Sequence, residues 1–262
     1  MAQSRKKHAP RRPKAWKYTP EDLRGKHALV TGGTSGIGRS LTLLLAAEGA
    51  NVLTFGRHQD KLDDTLDQGS DLPGQVSGVI ADQTKRKDLA RVFDEVDERL
   101  GQLDILVNNA SLPAGSVVDA DCDEIEYILK GNLQGYMVCV CLAAERMIAR
   151  SSGHIVNIGS MSAEVFDPRS DLYVATKSGV RGFSGSLRKR INEEGIKVSL
   201  VEPGLVGSSM SEDRSSQQQR RRAEQFKELY AEDVAECVYF CLTQPRRADV
   251  VMMQVRAHQQ II

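Results

Sequence analysis

The chain has 262 residues, enough for one large α/β domain or two small ones with a substantial core, and its 35 basic and 35 acidic side chains leave no formal net charge. Its five cysteines are odd in number and lack C-x-x-C spacing, which argues against a disulfide framework or a metal site and favours a reducing compartment, with the cytoplasm as the expected location. No segment approaches the roughly 18 consecutive apolar residues of a membrane helix, and the basic N-terminus lacks the apolar stretch of a secretory signal.

The first 24 residues differ in composition from the rest of the chain. Residues 1–20 contain seven basic side chains, three prolines and no acidic residue, so 28 basic and 35 acidic residues remain in 21–262. Because they offer almost nothing to bury, residues 1–24 are predicted to form a basic, flexible arm ahead of a domain over 25–262. The arm is either a solvated tail or a contact for an acidic partner such as nucleic acid or a membrane surface.

From residue 26 onward, short apolar runs alternate with segments of helical periodicity. The predicted strands are 27–32, 51–56, 77–82, 103–110, 153–160, 196–204 and 249–255, and the predicted helices are 39–50, 87–101, 123–150, 171–195 and 231–244. Apolar strands that alternate with helices are typical of a parallel sheet covered on both faces. The expected fold is therefore α/β, a single doubly wound domain with a seven-stranded, mostly parallel sheet.

The polar stretch 207–227 fits neither a strand nor a helix. It follows the strand at 196–204, and a long polar insert at the carboxyl end of a strand is a common place for an active-site lid. We expect a lid here, with an ordinary surface loop as the alternative. Its arginines, Arg214, Arg220, Arg221 and Arg222, are either receptors for a substrate carboxylate or solvated side chains.

The stretch VTGGTSGIGRS at 30–40 lies between the first predicted strand and the first predicted helix. Gly32, Gly36 and Gly38 allow a tight turn and a close approach of the backbone to a pyrophosphate. The N-terminus of the following helix directs its amides and the positive end of its dipole at the same phosphates. The turn is thus a candidate site for a dinucleotide.

The spacing of this turn, T-G-x-x-x-G-x-G, resembles that of the short-chain dehydrogenase/reductase family. The resemblance implies a Rossmann-type domain that binds a nicotinamide dinucleotide. The residues of the turn that it assigns to the cofactor are Gly32, Thr34, Ser35, Gly36, Ile37 and Gly38.

The residues after the second strand bear on the choice of cofactor. Folds that bind NAD usually place an Asp or Glu there to bind the ribose 2′-hydroxyl, but this chain has Gly56, Arg57 and His58. A carboxylate would repel a 2′-phosphate, whereas Arg57 can pair with it. NADP(H) is therefore favoured over NAD(H). The alternative is a solvent-facing Arg57 in an enzyme that accepts both cofactors.

The resemblance assigns further cofactor contacts to the ends of later strands. It implies that Asp82 accepts a hydrogen bond from the adenine amino group, beside Gln83, and that the segment NNA at 108–110 both stabilises the sheet and lines the cofactor cleft. Ser111 follows that segment where many members have glycine. The contacts assigned to cofactor are Asp82, Gln83, Asn109, Ala110, Pro203, Gly204 and Val206, together with Tyr173 and Lys177.

Tyr173 and Lys177 are the candidate proton-transfer pair. Four residues apart, they project from one face of a predicted helix. An unperturbed tyrosine has a pKa near 10, too high for acid–base work at neutral pH, and a neighbouring ammonium favours the phenolate and lowers that value. Taken alone, the pair could equally be two surface side chains.

Two further residues complete a set that resembles the catalytic tetrad of the family. Ser160, thirteen residues before Tyr173, can hydrogen-bond the same substrate oxygen, with Ser162 as a minor alternative for this role. The resemblance implies that Asn132 holds a water that links Lys177 to solvent. The candidate catalytic residues are therefore Asn132, Ser160, Tyr173 and Lys177.

The expected function is an NADP(H)-dependent oxidoreductase that interconverts a carbonyl and a secondary alcohol. The segments 202–207, 230–245 and the C-terminus resemble the 3-hydroxy acid (serine-type) dehydrogenases. The alternatives are a non-catalytic dinucleotide-binding regulator and a nucleic-acid-associated protein that uses the basic arm. The resemblance also implies a homodimer or homotetramer built on the fourth and fifth helices, and a small-molecule substrate.

Overall fold

The computed structural model describes residues 17–207 and 223–260 of the chain. Its strands are β1 His27–Thr31, β2 Asn51–Gly56, β3 Val76–Ile80, β4 Ile105–Asn108, β5 Gly153–Ile158, β6 Ile196–Pro203 and β7 Met252–Val255. They form one sheet in the order β3-β2-β1-β4-β5-β6-β7, in which every neighbouring pair is parallel. The predicted α/β fold of Rossmann type is confirmed, with a wholly parallel sheet.

The helices lie in the connections between these parallel strands. They are α1 Gly36–Ala47, α2 Gln59–Gly69, α3 Arg86–Leu100, α4 Cys122–Leu129, α5 Gly135–Ile148, α6 Ser162–Val165, α7 Asp171–Ile191 and α8 Ala231–Leu242, with a 3-10 turn at Asn192–Glu194. The helix predicted over 123–150 is divided: a π-helical segment, Lys130–Gln134, joins α4 to α5. The short helices α2 and α6 are absent from the sequence prediction.

The sheet separates two apolar layers of the core. Leu41 of α1 and Val238 of α8 belong to the layer on one face, and Phe93 of α3 and Met147 of α5 belong to the layer on the other. Adjacent residues of β1 divide between the layers, since Val30 packs in the first and Leu29 in the second. Such burial on both faces explains why the strands have nearly continuous apolar sequences.

Residues 17–24 pack against the domain. Leu23 is only 4% exposed and belongs to the core, and the backbone amide of Glu21 donates to the carbonyl of Thr243 at 2.9 Å. These contacts attach residues 17–24, which composition assigns to the arm, to the domain that was expected to begin at residue 25. The remainder of the predicted arm, residues 1–16, lies outside the described residues.

Candidate active site

A cleft of about 860 Å³ opens at the carboxyl edge of the sheet, beside the point between β1 and β4 where the strand order reverses. Ligands of doubly wound folds bind at this point. Sixteen of the residues selected from the sequence line the cleft: Gly32, Thr34, Ser35, Gly36, Ile37, Arg57, Asp82, Gln83, Asn109, Ala110, Ser160, Tyr173, Lys177, Pro203, Gly204 and Val206. Gly38 and Asn132 do not line it, and both lie directly behind its wall.

The glycine turn between β1 and α1 has the shape that a dinucleotide phosphate requires. Gly32 and Gly36 have φ values of +67° and +50°, in the left-handed region that favours glycine. A Cβ on Gly38 would collide with the carbonyl oxygen of Gly32, so Gly38 permits the tight packing behind the turn. No side chain caps the first turn of α1, which leaves its amides available to an anion. The turn therefore fits the cofactor predicted from its sequence.

The segment after β4 is fastened to β1. The hydroxyl of Thr31 accepts hydrogen bonds from the backbone amides of Asn109 and Ala110, each at 2.9 Å. The side-chain amide of Asn108 donates to Asn157 Oδ1 at 2.9 Å, which joins β4 to β5. This segment thus supports the sheet and forms the floor of the cleft.

The end of β2 gives the cleft a basic wall. Arg57, His58 and Lys61 all line it. Arg57 Nη1 donates to the hydroxyl of Tyr127 at 2.6 Å, and no carboxylate within the described ranges forms a salt bridge with Arg57. Sequence reasoning missed Lys61 because it missed α2, and it missed Tyr127 because only the tertiary structure brings α4 to this wall.

Arg39, in the first turn of α1, forms its bonds away from the cleft. Its guanidinium donates to the carbonyl of Thr34 at 2.7 Å and forms a 2.6 Å ion pair with Asp64 of α2. These bonds hold the glycine turn to α2. Arg39 is also absent from the cleft lining.

Asp82 and Gln83 follow β3 on the cleft wall. Asp82 Oδ1 accepts from the backbone amide and the hydroxyl of Thr84, at 2.9 and 2.8 Å. Gln83 Nε2 donates to the carbonyls of Ala110 and Gly131, at 3.0 and 2.7 Å, and its buried Oε1 has no partner among the described residues. Gln83 therefore ties the end of β4 to the π-helical segment.

Tyr173 and Lys177 of α7 meet Ser160, which follows β5, at the centre of the cleft. Lys177 Nζ donates to the carbonyl of Ile158 at 3.1 Å and lies 5.6 Å from the centre of the Tyr173 ring. Ser160 Oγ accepts from the backbone amide of Ser162 at 3.1 Å and donates to its hydroxyl at 3.0 Å. Ser162 thus fixes the orientation of Ser160.

The surroundings of this pair shift both of its pKa values. Burial lowers the pKa of Lys177 from 10.5 to about 7, because the buried site disfavours the ammonium. Burial also raises the pKa of Tyr173 above 10, while the hydroxyls of Ser160 and Ser111 act in the opposite direction. The sequence argument expected a lowered phenol pKa. In this structure burial outweighs the two hydroxyls, and the pKa of the phenol is raised instead.

Asn132 lies in the π-helical segment, fully buried. Its Oδ1 accepts from the backbone amide of Leu112 at 2.6 Å, and its Nδ2 donates to the carbonyl of Leu112 at 2.8 Å. The side chain therefore anchors the loop after β4 from behind. π-Helical turns of this kind are frequent at functional sites.

The loop after β6 forms the other end of the cleft, and the C-terminus supports it. Gly204 N donates to the carbonyl of Val255 at 2.7 Å, and Leu205 N donates to Gln260 Oε1 at 3.1 Å. Gln260 also lines the cleft, although no local pattern in the sequence predicts this. Most of the predicted lid, 208–222 with its four arginines, lies outside the described residues.

A sheet of this order, with a phosphate turn and a tyrosine–lysine pair at its switch point, defines a dinucleotide-binding oxidoreductase. The sequence profile described as short chain dehydrogenase matches residues 26–219, and the chain belongs to that family. It is an NAD(P)-dependent oxidoreductase. Members of the family are typically oligomeric and act on small molecules.

The chain is also similar along most of its length to staphylococcal proteins described as uncharacterized oxidoreductases. One from Staphylococcus aureus (strain MRSA252) is 32% identical over 235 residues, which are 89% of this chain and 98% of the relative. Another, from Staphylococcus saprophyticus subsp. saprophyticus, is 31% identical over 237 residues, 90% of this chain and 98% of the relative.

Within 17–207 and 223–260, no helix combines the length and the apolar character needed to cross a bilayer. The same residues contain no group of three or more His, Cys, Asp or Glu side chains placed to hold a metal ion.

Proposed function

We propose that the protein is an NADP(H)-dependent oxidoreductase that interconverts a carbonyl and a secondary alcohol, with Tyr173 as its acid and base. The observation that carries this proposal is the convergence of Tyr173, Lys177 and Ser160 in one cleft with the glycine turn. The cofactor, when bound, supplies or accepts the hydride at the carbon atom.

The side chains of the cleft supply the proton and the orientation. In the reducing direction, Tyr173 donates its phenolic proton to the carbonyl oxygen, which becomes the hydroxyl of the alcohol. In the oxidising direction, the phenolate of Tyr173 accepts that proton. Ser160, whose Oγ stays held by the backbone amide of Ser162, turns its hydroxyl proton from Ser162 to the substrate oxygen and so orients and polarises the carbonyl.

Lys177 provides the electrostatic part of the mechanism. Its amine lies beside the Tyr173 ring, and in the ammonium form it favours the phenolate. The proposed second role of Lys177 is to hold the ribose hydroxyls of the cofactor. Asn132 acts behind the cleft, through Leu112, and the proposed water between it and Lys177 would carry protons from solvent.

The basic wall at the end of β2 supports a preference for NADP(H). Arg57 has a hydroxyl rather than a carboxylate as its partner, and His58 and Lys61 add positive or neutral groups on the same wall. A ribose 2′-phosphate can replace the Tyr127 hydroxyl as the acceptor of Arg57. No acidic side chain from the β2 end lines the cleft in the described part of the chain.

The proposed substrate class is the 3-hydroxy acids and their 3-oxo counterparts. Support comes from the resemblance of 202–207 and 230–245 to such dehydrogenases and from Arg169, which lines the cleft. Arg169 is 89% exposed along its side chain and has only a loose 3.4 Å pair with Asp167, so it is available to a carboxylate. Leu112, Val165 and Leu205 give the same region an apolar wall.

The decisive experiment replaces Tyr173 by phenylalanine. Turnover should fall at least about a thousandfold, since the proton donor is lost, while the NADPH dissociation constant changes less than about threefold. The assay follows NADPH consumption against aldehydes, ketones and 3-oxo acids, and NADP-dependent oxidation of hydroxy acids. Near-normal turnover in Tyr173→Phe contradicts the proposal, and a folded parent protein that binds NADPH without any turnover favours the regulatory alternative.

A further inference from the structure

We propose that Tyr136 is a positioning residue that holds the Lys177 amine in place for cofactor binding. The inference rests on the proposed role of Lys177. Tyr136 lies on α5, one turn beyond Asn132, and is fully buried. Neither the glycine turn nor the tyrosine–lysine spacing identifies Tyr136 from the sequence, because Tyr136 is 41 residues from Lys177 along the chain.

Three polar atoms meet at the end of β5. The Tyr136 hydroxyl donates to the carbonyl of Ile158 at 3.2 Å. Lys177 Nζ donates to that same carbonyl at 3.1 Å and to the Tyr136 hydroxyl oxygen at 3.4 Å. The Tyr136 hydroxyl donates its only proton to the carbonyl of Ile158. Its oxygen lone pairs therefore act as acceptors for the Lys177 amine. The hydroxyl oxygen of Tyr136 and the carbonyl oxygen of Ile158 together hold Nζ through two hydrogen bonds.

These two hydrogen bonds matter because, among the described residues, Lys177 has no ionic partner. None of the salt bridges formed by the described residues includes Lys177, which is 1% exposed. The groups that face it are neutral: the Tyr136 ring 5.2 Å away on α5, the Tyr173 ring on α7, and the Ile158 carbonyl on β5. The Cys139 thiol beside Tyr136 stays protonated, because burial raises its pKa to about 12.

An amine that is already held in its bound position favours cofactor binding more than a mobile amine does. A lysine side chain loses rotamer entropy when it is fixed. Tyr136 and Ile158 restrain it before the cofactor arrives and occupy two of the three ammonium protons, so one remains for the cleft that Lys177 lines. The hydroxyl of Tyr136 therefore contributes to cofactor affinity through Lys177 alone.

The test is a double-mutant cycle on NADPH affinity, measured by fluorescence titration of the full chain. The variants are Tyr136→Phe, Lys177→Met and the double variant. Removing the hydroxyl should weaken NADPH binding about two- to tenfold, the range for one hydrogen bond, in the parent chain. It should change nothing when Lys177 is already methionine. Equal losses in both backgrounds, or no loss in either, overturn the proposal.

Val180→Ala serves as the matched structural control. Val180 is buried in the same apolar cluster as Tyr136 and makes no hydrogen bond to Nζ through its side chain. This variant should lower the melting temperature and leave NADPH affinity unchanged. If Lys177→Met itself binds NADPH as tightly as the parent, the proposed role of Lys177 fails. A loss in Lys177→Met with additive Tyr136→Phe effects overturns only the role of Tyr136.

A second readout is the pH profile of alcohol oxidation. The Tyr136 hydroxyl accepts a hydrogen bond from the amine and so favours the ammonium over the free base. In Tyr136→Phe the ammonium is less favoured, the Tyr173 phenolate loses part of its stabilisation, and the acid limb of the profile should move to higher pH. A profile that keeps its position while the rate falls contradicts the proposal.

Discussion

At the scale of single residues, the proposed preference for NADP(H) depends on the charge at the end of β2. Among the described residues, the Arg57 guanidinium has the Tyr127 hydroxyl as its hydrogen-bond partner and forms no salt bridge, so it can form charge-assisted bonds with a 2′-phosphate. Such bonds contribute about 1.5–3 kcal/mol each. We predict that Arg57→Asp weakens NADPH binding by about 10- to 150-fold and leaves NADH binding within about threefold, measured by parallel fluorescence titrations.

Arg57→Lys is the control for this prediction. It keeps the charge and loses the planar fork, so its NADPH affinity should fall between those of the parent and Arg57→Asp. A parent protein that binds NADH more tightly than NADPH contradicts the argument from Arg57.

The buried amine of Lys177 makes stability depend on pH. Its pKa is about 7 in the folded protein and near 10.5 in the unfolded chain, so between these values the unfolded chain binds more protons. Stability therefore increases with pH across this window, and the cost of burying the ammonium is complete below pH 7. We predict that Lys177→Met is more stable than the parent by up to about 4 kcal/mol at pH 6.5, and that the difference shrinks towards pH 10.

Urea unfolding of both proteins at pH 6.5 and pH 9.5 measures this difference. Lys189 lies exposed on the same helix, and Lys189→Met should show no such change between the two pH values. A stability difference between Lys177→Met and the parent that is the same at both pH values contradicts the assignment.

At the scale of elements, Asn132 ties the π-helical segment to the loop after β4. Asn132 satisfies both backbone groups of Leu112 and is itself fully buried. Each buried polar group left without a partner costs about 1–3 kcal/mol. We predict that Asn132→Ala lowers the free energy of unfolding by about 2–4 kcal/mol, measured by urea unfolding, with a parallel loss of turnover.

Asn132→Asp separates the two bonds. A carboxylate still accepts from the Leu112 amide, but it no longer donates to the Leu112 carbonyl and its charge is disfavoured by burial, so Asn132→Asp should also destabilise the protein, and activity should follow stability. The exposed neighbour Gln134 provides the control, because Gln134→Ala in the same segment should change little. Equal effects at Asn132 and Gln134 would falsify the anchoring role.

The same scale shows what the sequence can and cannot reveal. The strands were predictable because burial on both faces gives them apolar sequences, and the glycine turn and the Tyr173–Lys177 spacing are local patterns. Helix α2 was not, because only Leu62, Thr65 and Gly69 are buried in it, too sparse a stripe to stand out. The π-helical segment looks like ordinary helix, since its backbone distortion leaves no mark in hydrophobic periodicity.

At the scale of the whole molecule, the cleft collects residues that are distant in the chain. Gln260 reaches Leu205 across 55 residues, and Tyr136 reaches Lys177 across 41. Contacts of this kind follow from the order of strands in the sheet rather than from any local pattern. They explain why the tetrad could be chosen from sequence while its supporting residues could not.

The remaining prediction, a homo-oligomer, concerns the outer surface of α4 and α5. Helix α4 buries only Ile128, and the exposed stripe of α5 includes Met137, Cys141 and Ile148. A helix with so little burial of its own gains stability by packing against a second copy. We predict that the parent chain is a dimer or tetramer by light scattering, and that Met137→Glu, which places a charge in the stripe, lowers the mass or raises the dissociation constant at least about tenfold. Val118→Glu is the control, because Val118 is 84% exposed and lies outside α4 and α5. A monomeric parent, or equal effects of the two substitutions, contradicts an interface built on this face.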